Sequence, residues 1–417
     1  MTLRTTVLDG GLTVVTEHMP DVRSVCLGFW VGTGSVDEAP AQAGASHFLE
    51  HLLFKGTESR SARSLAETVD SVGGDFNAFT TKEYTTFYIR LLADDLGMGA
   101  SLLSDIFWSP AFRPEEFESE RQVILEEILM HSDEPGELVH DVLAEALFPG
   151  HPLGREVLGE EATVSAMSVE RVRDFHDRHY RPANLVVVAA GLVDHDCMVE
   201  AVSAGLPGAG AGASAGARPL RSVPGQVLPA RTVVERRTEQ AHIAVAVPGP
   251  GRDDEDRHAM SMVEHIIGGG MSSRLFQAIR EERGLAYSVY SYRLGFEHAG
   301  ALAVYAGTSP SNAPQVLDLI EAEIGRLAQD GITEAELASA RGHLRGAMAL
   351  GLEDSGARMS RLGHSQLVHG RVLELDEVEA RLAALSLEGV NEVAARWLSR
   401  PVTVASIGPP GHLPDAG

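Results

Sequence analysis

A segment of very small residues lies near the middle of the chain and divides it into two halves. It reads AGLPGAGAGASAGARPLRSVPG at residues 204–225. Such residues cannot fill a hydrophobic core, and the glycines and prolines interrupt both helical and strand periods. We interpret 204–226 as a flexible linker. A chain of 417 residues is also too long for one ordinary hydrophobic core and fits two domains. We place these domains at 1–203 and 227–417.

The two halves repeat the same order of predicted elements. The first opens with the strand-like stretches GLTVVTEHM and SVCLGFWVGTGS, followed by a helical stretch from about Ala43. The second opens with RTVVERRT and AHIAVAVPGP, followed by a helical stretch from about Asp256. Apolar residues alternate in the strand-like stretches and recur at helical spacing afterwards. The repeated order predicts two homologous α+β domains.

Local similarity supports an internal duplication. HFLEHLLFKG at 47–56 corresponds to SMVEHIIGGG at 261–270, and EFESER at 116–121 corresponds to ELASAR at 336–341. A match of this kind, in the same order within each half, indicates a degenerate repeat.

His47, Glu50 and His51 fall on one side of the first predicted helix. Each helical residue advances by about 100°, so the three side chains occupy an arc of about 100°. Two imidazoles four residues apart suit a zinc ion, and H-x-x-E-H is the inverzincin order, the reverse of H-E-x-x-H. Glu50 would then act as a base beside the metal. A third ligand is still required.

The stretch 114–131 predicts a second helix that carries acidic residues. Pro114 stands near its start, acids fill the first turn, and apolar residues mark a core side. Glu120 and Glu127 lie seven residues apart on one flank. Burying these carboxylates costs several kcal/mol unless a cation or hydrogen-bond donors compensate. A metal would answer this need for Glu127, whereas an ordinary exposed acidic edge is the alternative.

The second half lacks these polar residues at the matching positions. Ser261 occupies the position that corresponds to His47, and Ala347 occupies the position that corresponds to Glu127. We therefore predict a metal site in the first half alone.

The motif HFLEH is followed after 75 residues by Glu127, the last glutamate of ERQVILEEI. With this motif and spacing, the chain resembles the insulinase and pitrilysin family of zinc peptidases. The likeness extends to its short bacterial members and to the β subunit of the mitochondrial processing peptidase. It implies that His47, His51 and Glu127 hold zinc and that Glu120 orients a ligand histidine. It also implies two domains, each a mostly antiparallel sheet with helices packed on it.

The same resemblance implies a peptide-binding strand. GGDFNAFTTKEYTTFY at 73–88 is similar to the family's substrate-binding edge strand, which places Asn77 and Ala78 at that surface. An edge strand offers free N–H and C=O groups to an extended peptide. The pattern of residues alone fits an interior strand equally well.

The resemblance assigns a substrate role to the second half. Arg280 and Tyr287 look like the arginine and tyrosine with which the family closes over the substrate backbone. An arginine in an acidic helix is otherwise typical of a surface ion pair. The glycines at 268–270 precede neither G-x-G-x-x-G nor a Walker motif, so we expect no nucleotide.

Composition excludes several other functions. A net charge of −25 and the lack of a basic stripe argue against nucleic acid. We expect neither a membrane span nor a secretory leader, because no stretch of about 18 apolar residues occurs and no opening run joins a basic segment to an apolar one. Cys26 and Cys197 are far apart, which favours a reducing compartment. We therefore expect a cytoplasmic protein with a weak preference for cationic partners.

These observations predict a zinc endopeptidase with one Zn²⁺ per chain, which cleaves peptides between its two halves. The longer relatives build a closed chamber from four such domains, so we expect a homodimer or a heterodimer with an inactive homologue. One alternative is a non-catalytic partner subunit, which the intact His47, Glu50, His51 and Glu127 speak against. A purely structural zinc site is another, and it leaves Glu50 without a role.

Overall fold

The fold is described from a computed structural model, in which the described residues are 2–206, 221–225 and 227–414. Residues 207–220 and 226 of the predicted linker lie outside this part of the chain.

Packing groups the chain into two units that do not follow the sequence halves. The first unit is Met1–Ile128, Glu156–Arg221 and Ala349–Val372, and the second unit is Leu129–Arg155, Ser222–Met348 and Leu373–Gly417. Each unit therefore includes a segment from the other half of the sequence. The predicted domains 1–203 and 227–417 differ from the units at these segments, and they stay a prediction.

The first unit is built on a six-stranded sheet. Its strands are β1 (Thr2–Val7), β2 (Thr13–His18), β3 (Ser24–Val31), β4 (Asp75–Thr80), β5 (Thr85–Leu92) and β6 (Leu185–Gly191). They lie in the order β1-β2-β6-β3-β5-β4, with every neighbouring pair antiparallel except β2 and β6. The sheet is thus mostly antiparallel, and β4 is at one edge.

The helices match the predicted positions where a prediction was made. They are α1 (Ala45–Leu53), α2 (Ala62–Asp70), α3 (Leu96–Trp108), α4 (Pro114–Ser132), α5 (Pro135–Leu147), α6 (Glu161–Ser165), α7 (Val169–His179), α8 (His195–Gly205), α9 (Arg257–Gly268), α10 (Ala313–Asp330), α11 (Glu334–Gly351), α12 (Ser355–His369), α13 (Leu375–Ala384) and α14 (Leu387–Leu398). The stretches predicted from Ala43, from 114 and from Asp256 correspond to α1, α4 and α9.

Helices cover both faces of the first sheet, which explains why β3 and β6 read as almost continuous apolar runs. On one face Phe29 packs against Phe107 of α3. On the other face Trp30 packs against α12 and donates its indole N–H to Met359 Sδ at 3.2 Å. A Cβ at Gly363 would lie 2.2 Å from the Trp30 ring, so only glycine allows this approach.

The second unit is built on a five-stranded sheet of the same kind. Its strands are β7 (Ala230–Glu235), β8 (Ala241–Gly249), β9 (Ala286–Gly295), β10 (Gly300–Thr308) and β11 (Thr403–Gly408). The order is β7-β11-β8-β10-β9, and only β7 and β11 are parallel. Helices α9, α10 and α14 contribute to one core with this sheet, and α5 also packs on it.

The predicted fold class is confirmed: each unit is an α+β layer arrangement with a mostly antiparallel sheet and helices packed on it. Within the described part of the chain, no helix is both long and apolar enough to cross a bilayer.

A buried ion pair fixes α12 on the first sheet. Arg358 Nη1 lies 2.6 Å from Glu17 Oε1 of β2, and the two side chains are 7% and 10% exposed. We expect Arg358→Met to lower the free energy of unfolding by about 3 to 5 kcal/mol, because Glu17 is left buried without its partner. Equilibrium unfolding in urea measures the change.

The matched control is Arg63→Met. Arg63 pairs with Glu67 at 2.7 Å, but these side chains are 87% and 62% exposed, and exposed pairs contribute about 1 kcal/mol or less. Equal losses in the two variants would contradict the structural role of the Arg358 pair.

Candidate zinc site

The first turn of α1 is fixed by a carboxylate that comes before it. Glu38 is buried and accepts hydrogen bonds from Gly44 N–H at 2.9 Å and Ser46 N–H at 2.7 Å. A helix leaves its first N–H groups unpaired, and a negative charge there also favours the helix dipole. Gly44 has a φ of 91°, which suits glycine. Glu38 therefore defines where α1 begins, and the sequence analysis missed it.

Helix α1 buries one face and turns its polar residues away from it. Phe48, Leu49, Leu52 and Leu53 are buried, whereas His47 and His51 side chains remain 12% and 18% exposed. The two imidazole centroids are 4.7 Å apart. The predicted grouping of the histidines on one side of the helix is present.

An aromatic stack joins α1 to α4 and brings the third predicted ligand to the histidines. Phe48 and Phe117 are fully buried, and their rings stack with centroids 4.5 Å apart and an interplanar angle of 16°. Further along α4, Glu127 Oε2 lies 3.4 Å from His51 Nε2 and 3.7 Å from His47 Nε2. The structure therefore brings His47, His51 and Glu127 together.

These three side chains fit a zinc ion. One ligand atom from each lies within 4.8 Å of the others, and a tetrahedral zinc with bonds of about 2.0 to 2.2 Å separates its ligand atoms by about 3.3 to 3.6 Å. Burial, aided by the neighbouring His51, lowers the pKa of His47 to about 4. His47 is thus neutral near pH 7, which is the form of imidazole that binds metals.

Glu120 lies directly behind His51, a candidate ligand histidine. It is 4% exposed, and its Oε2 accepts a hydrogen bond from His51 Nδ1 at 3.1 Å. Its Oε1 lies 2.7 Å from Nζ of Lys55, which follows the end of α1. Lys55 supplies the positive charge that a buried carboxylate needs, and the sequence analysis missed it although it stands in the same motif.

Glu50 lies beside the three candidate ligands but is not itself one of the grouped ligands. Burial raises the pKa of its carboxyl, and a hydrogen bond from Thr80 opposes the shift. Thr80 Oγ1 donates to Glu50 Oε2 at 2.5 Å. Thr80 belongs to the stretch 73–88, which was predicted as one strand; that prediction is wrong, because the stretch forms part of two strands, β4 and β5. Nothing in the sequence pattern connects Thr80 to Glu50.

Asn77 and Ala78 lie in β4, the last strand in the order of the first sheet. This strand pairs with β5 on one side, and its other side is the edge of the sheet. Asn77 is exposed, and its Oδ1 accepts a hydrogen bond from Ala78 N–H at 2.8 Å. The edge position that peptide pairing requires is therefore present. A peptide carbonyl that bonds to Ala78 N–H must displace the Asn77 side chain.

Arg280 and Tyr287 lie together in the second unit. Arg280 belongs to the short π-helical segment Phe276–Glu281, and Tyr287 is near the start of β9. The Arg280 guanidinium carbon is 4.8 Å from the Tyr287 ring centroid and 4.8 Å from the Phe276 ring centroid. Tyr287 is 80% exposed. Their role in holding substrate stays a prediction.

The matching positions of the second unit have a different chemistry. Ser261 Oγ, in the place of His47, accepts a hydrogen bond from Arg293 Nη1 at 2.5 Å. Glu264, in the place of Glu50, accepts one from Ser291 Oγ at 3.1 Å. Without the first histidine and with Ala347 on α11, this copy lacks the ligand set of the first unit.

Family models and curated proteins match most of this chain. Residues 13–161 match the family model described as insulinase (peptidase family M16), and residues 166–344 match the model described as peptidase M16 inactive domain. An uncharacterized zinc protease of Streptomyces coelicolor is 46% identical over 98% of this chain and 90% of its own. The uncharacterized zinc protease YmxG of Bacillus subtilis is 37% identical over 97% and 98%.

Solved structures share the fold. A protease from Helicobacter pylori superposes with a TM-score of 0.92 at 22% identity and covers 98% of this chain and 99% of its own. A peptidase M16 inactive domain from Pseudomonas fluorescens gives a TM-score of 0.90 at 22% identity and covers 98% of each chain. Sequence and fold together place the chain among proteins that carry M16 peptidase domains. The chain belongs to the insulinase family, peptidase family M16.

The contacts of Glu120 lead to a prediction for zinc affinity. We expect Glu120→Gln to weaken zinc binding by about 10-fold to 100-fold, because groups that hold ligand histidines have effects of this size. Lys55→Met should weaken it less, and Glu127→Gln should weaken it most. Competition with a chromophoric chelator measures each affinity.

Glu126→Gln is the matched control, since Glu126 is an exposed carboxylate on the same helix. An unchanged zinc affinity in Glu120→Gln, with a loss in Glu127→Gln, would contradict the role of Glu120.

Proposed function

We propose that the chain is a zinc-dependent endopeptidase. The observation that carries the proposal is the grouping of His47, His51 and Glu127. A further carboxylate, that of Glu50, lies on α1, the helix of the two histidines. Three protein ligands leave a fourth position of zinc open, which is typical of catalytic sites. A structural zinc site needs no additional acid, so the position of Glu50 favours hydrolysis.

The chemistry follows from the groups present. Zinc held by these ligands supplies Lewis acidity, which lowers the pKa of water and polarises the scissile carbonyl. Glu50 accepts the proton of the attacking water and passes it to the leaving amine. Burial raises the pKa of Glu50, which strengthens its carboxylate as a base. Glu120 keeps the His51 ring oriented through Nδ1.

Substrate binding in this proposal uses the edge of the first sheet. A peptide that pairs with β4 near Asn77 and Ala78 gains main-chain hydrogen bonds that depend little on its side chains. Arg280 and Tyr287 contribute donors for substrate carbonyls. The net charge of −25 adds a weak preference for cationic peptides through long-range attraction.

We also propose that the chain acts as a dimer, either with itself or with an inactive homologue, as a subunit of a processing peptidase. The reason is that one chain supplies two domains of the family type, whereas the closed chamber of the longer relatives uses four. Light scattering after gel filtration tests this, with twice the chain mass of 44.5 kDa expected for the homodimer. The chain mass itself, together with full peptidase activity, would contradict the need for a partner.

The central test is hydrolysis of a quenched-fluorescent, arginine-containing peptide of about 10 to 20 residues. We expect cleavage by the zinc-loaded parent and a loss of about 100-fold or more in kcat for Glu50→Gln, since positioned acid–base groups contribute about 10²-fold to 10⁴-fold. Zinc content is measured in both proteins, so that loss of metal is distinguished from loss of the base.

Glu264→Gln is the matched control. It makes the same change at the corresponding position of α9, where the neighbouring ligand set is absent, and we expect unchanged hydrolysis. A fully active Glu50→Gln would overturn the proposed function, and so would a parent that binds zinc and forms the homodimer but cleaves no peptide.

A further inference from the structure

We infer that Thr80 is a positioning residue for Glu50: its hydroxyl holds the Glu50 carboxylate in the orientation from which it accepts the proton of the attacking water. The inference rests on the proposed function and extends it to a residue of the edge strand.

The Thr80 contact is the one hydrogen bond to the Glu50 carboxylate among the residues that the structure describes. Thr80 Oγ1 donates to Glu50 Oε2 at 2.5 Å, which is at the short end for a charge-assisted O–H···O bond. A glutamate side chain has three rotatable bonds and retains considerable freedom unless a partner fixes it. The donor on Thr80 therefore selects one orientation of Glu50.

Thr80 is itself held by its neighbours in the sheet. It is the last residue of β4 and pairs with Thr85 in the β4–β5 register. Thr85 Oγ1 lies 3.4 Å from Thr80 Oγ1 and donates to the Thr33 carbonyl at 3.0 Å. The hydroxyl that reaches Glu50 thus comes from a paired strand end and not from a free loop.

This contact links two parts of the proposed mechanism. Strand β4 is the edge on which a peptide would pair, and its terminal residue contacts the proposed base. Pairing of substrate with β4 fixes the strand further and with it the Thr80 hydroxyl. A small displacement of a reacting group has a large kinetic effect, up to about 10²-fold for about 1 Å.

The second unit has a similar contact. Ser291 Oγ of β9 lies 3.1 Å from Glu264 Oε1 of α9 and 2.7 Å from the Glu264 backbone carbonyl oxygen, so a strand hydroxyl also adjoins the glutamate at the corresponding helix position. In the second unit Ser261 stands in the place of His47, so the candidate ligand set is absent there. We attribute a kinetic effect to the contact in the first unit alone, because only there does the glutamate adjoin the ligand set.

The test compares hydroxyl-bearing and hydroxyl-free side chains at position 80. We expect Thr80→Val, which keeps the shape of threonine, to lower kcat by about 10-fold to 100-fold with little change in KM or zinc affinity. Thr80→Ser restores the hydroxyl and should recover most of kcat. A crystal structure of zinc-loaded Thr80→Val should show Glu50 in a different or mixed orientation.

Thr86→Val is the matched control. Thr86 is in the adjacent strand β5, and its buried Oγ1 has no hydrogen-bond partner among the described residues. The same substitution there should leave kcat unchanged. Thr80→Ala, a second hydroxyl-free variant, covers the case in which valine disturbs the strand.

The outcomes separate this inference from the proposed function. If the parent cleaves peptide and either folded hydroxyl-free variant keeps the parent kcat, Thr80 does not position Glu50. Equal losses of kcat in Thr80→Ser and Thr80→Val also overturn the inference, because the effect then does not come from the hydroxyl group. A zinc-loaded homodimeric parent without activity overturns the proposed function first.

Discussion

The stack of Phe48 on Phe117 is the contact on which the candidate zinc site depends. It joins α1 and α4 in a fully buried layer, and aromatic pairs of this kind add about 0.5 to 1.5 kcal/mol beyond the burial of their area. Arg121 extends the layer, with its guanidinium carbon 4.9 Å from the Phe117 centroid. Because the helices are held here, Glu127 reaches His47 and His51 two or three turns further along α4.

The sequence predicts the parts of the site that depend on local periodicity. Helical spacing places His47 and His51 on one side of α1, and a resemblance in spacing leads to Glu127. Contacts that periodicity does not describe were missed: Glu38 accepts hydrogen bonds across a short loop from the start of α1, and Thr80 reaches Glu50 from another element. Hydrophobic patterning shows that a helix is amphipathic, but not which sheet it covers. For this reason α12, which packs on Trp30, could not be placed from sequence.

The two units show how one architecture accommodates two chemistries. Both place a glutamate from a helix beside a hydroxyl from an edge strand. In the first unit the surrounding groups are His47 and Glu127, which suit a metal, whereas the second unit has Ser261 bonded to Arg293. Replacing a histidine and an acid removes the ligand set while the fold persists. The same fold thus carries two sets of side chains, and a reaction has to be argued from the side chains and not from the fold.

The most direct measurement is anomalous X-ray diffraction at the zinc absorption edge from crystals of the purified, zinc-loaded protein. The account predicts one strong peak per chain, about 2.0 to 2.2 Å from His47 Nε2, His51 Nε2 and a Glu127 carboxylate oxygen, with Glu50 outside bonding distance. A peak at other side chains, or none at these three in a protein that binds zinc, would contradict it.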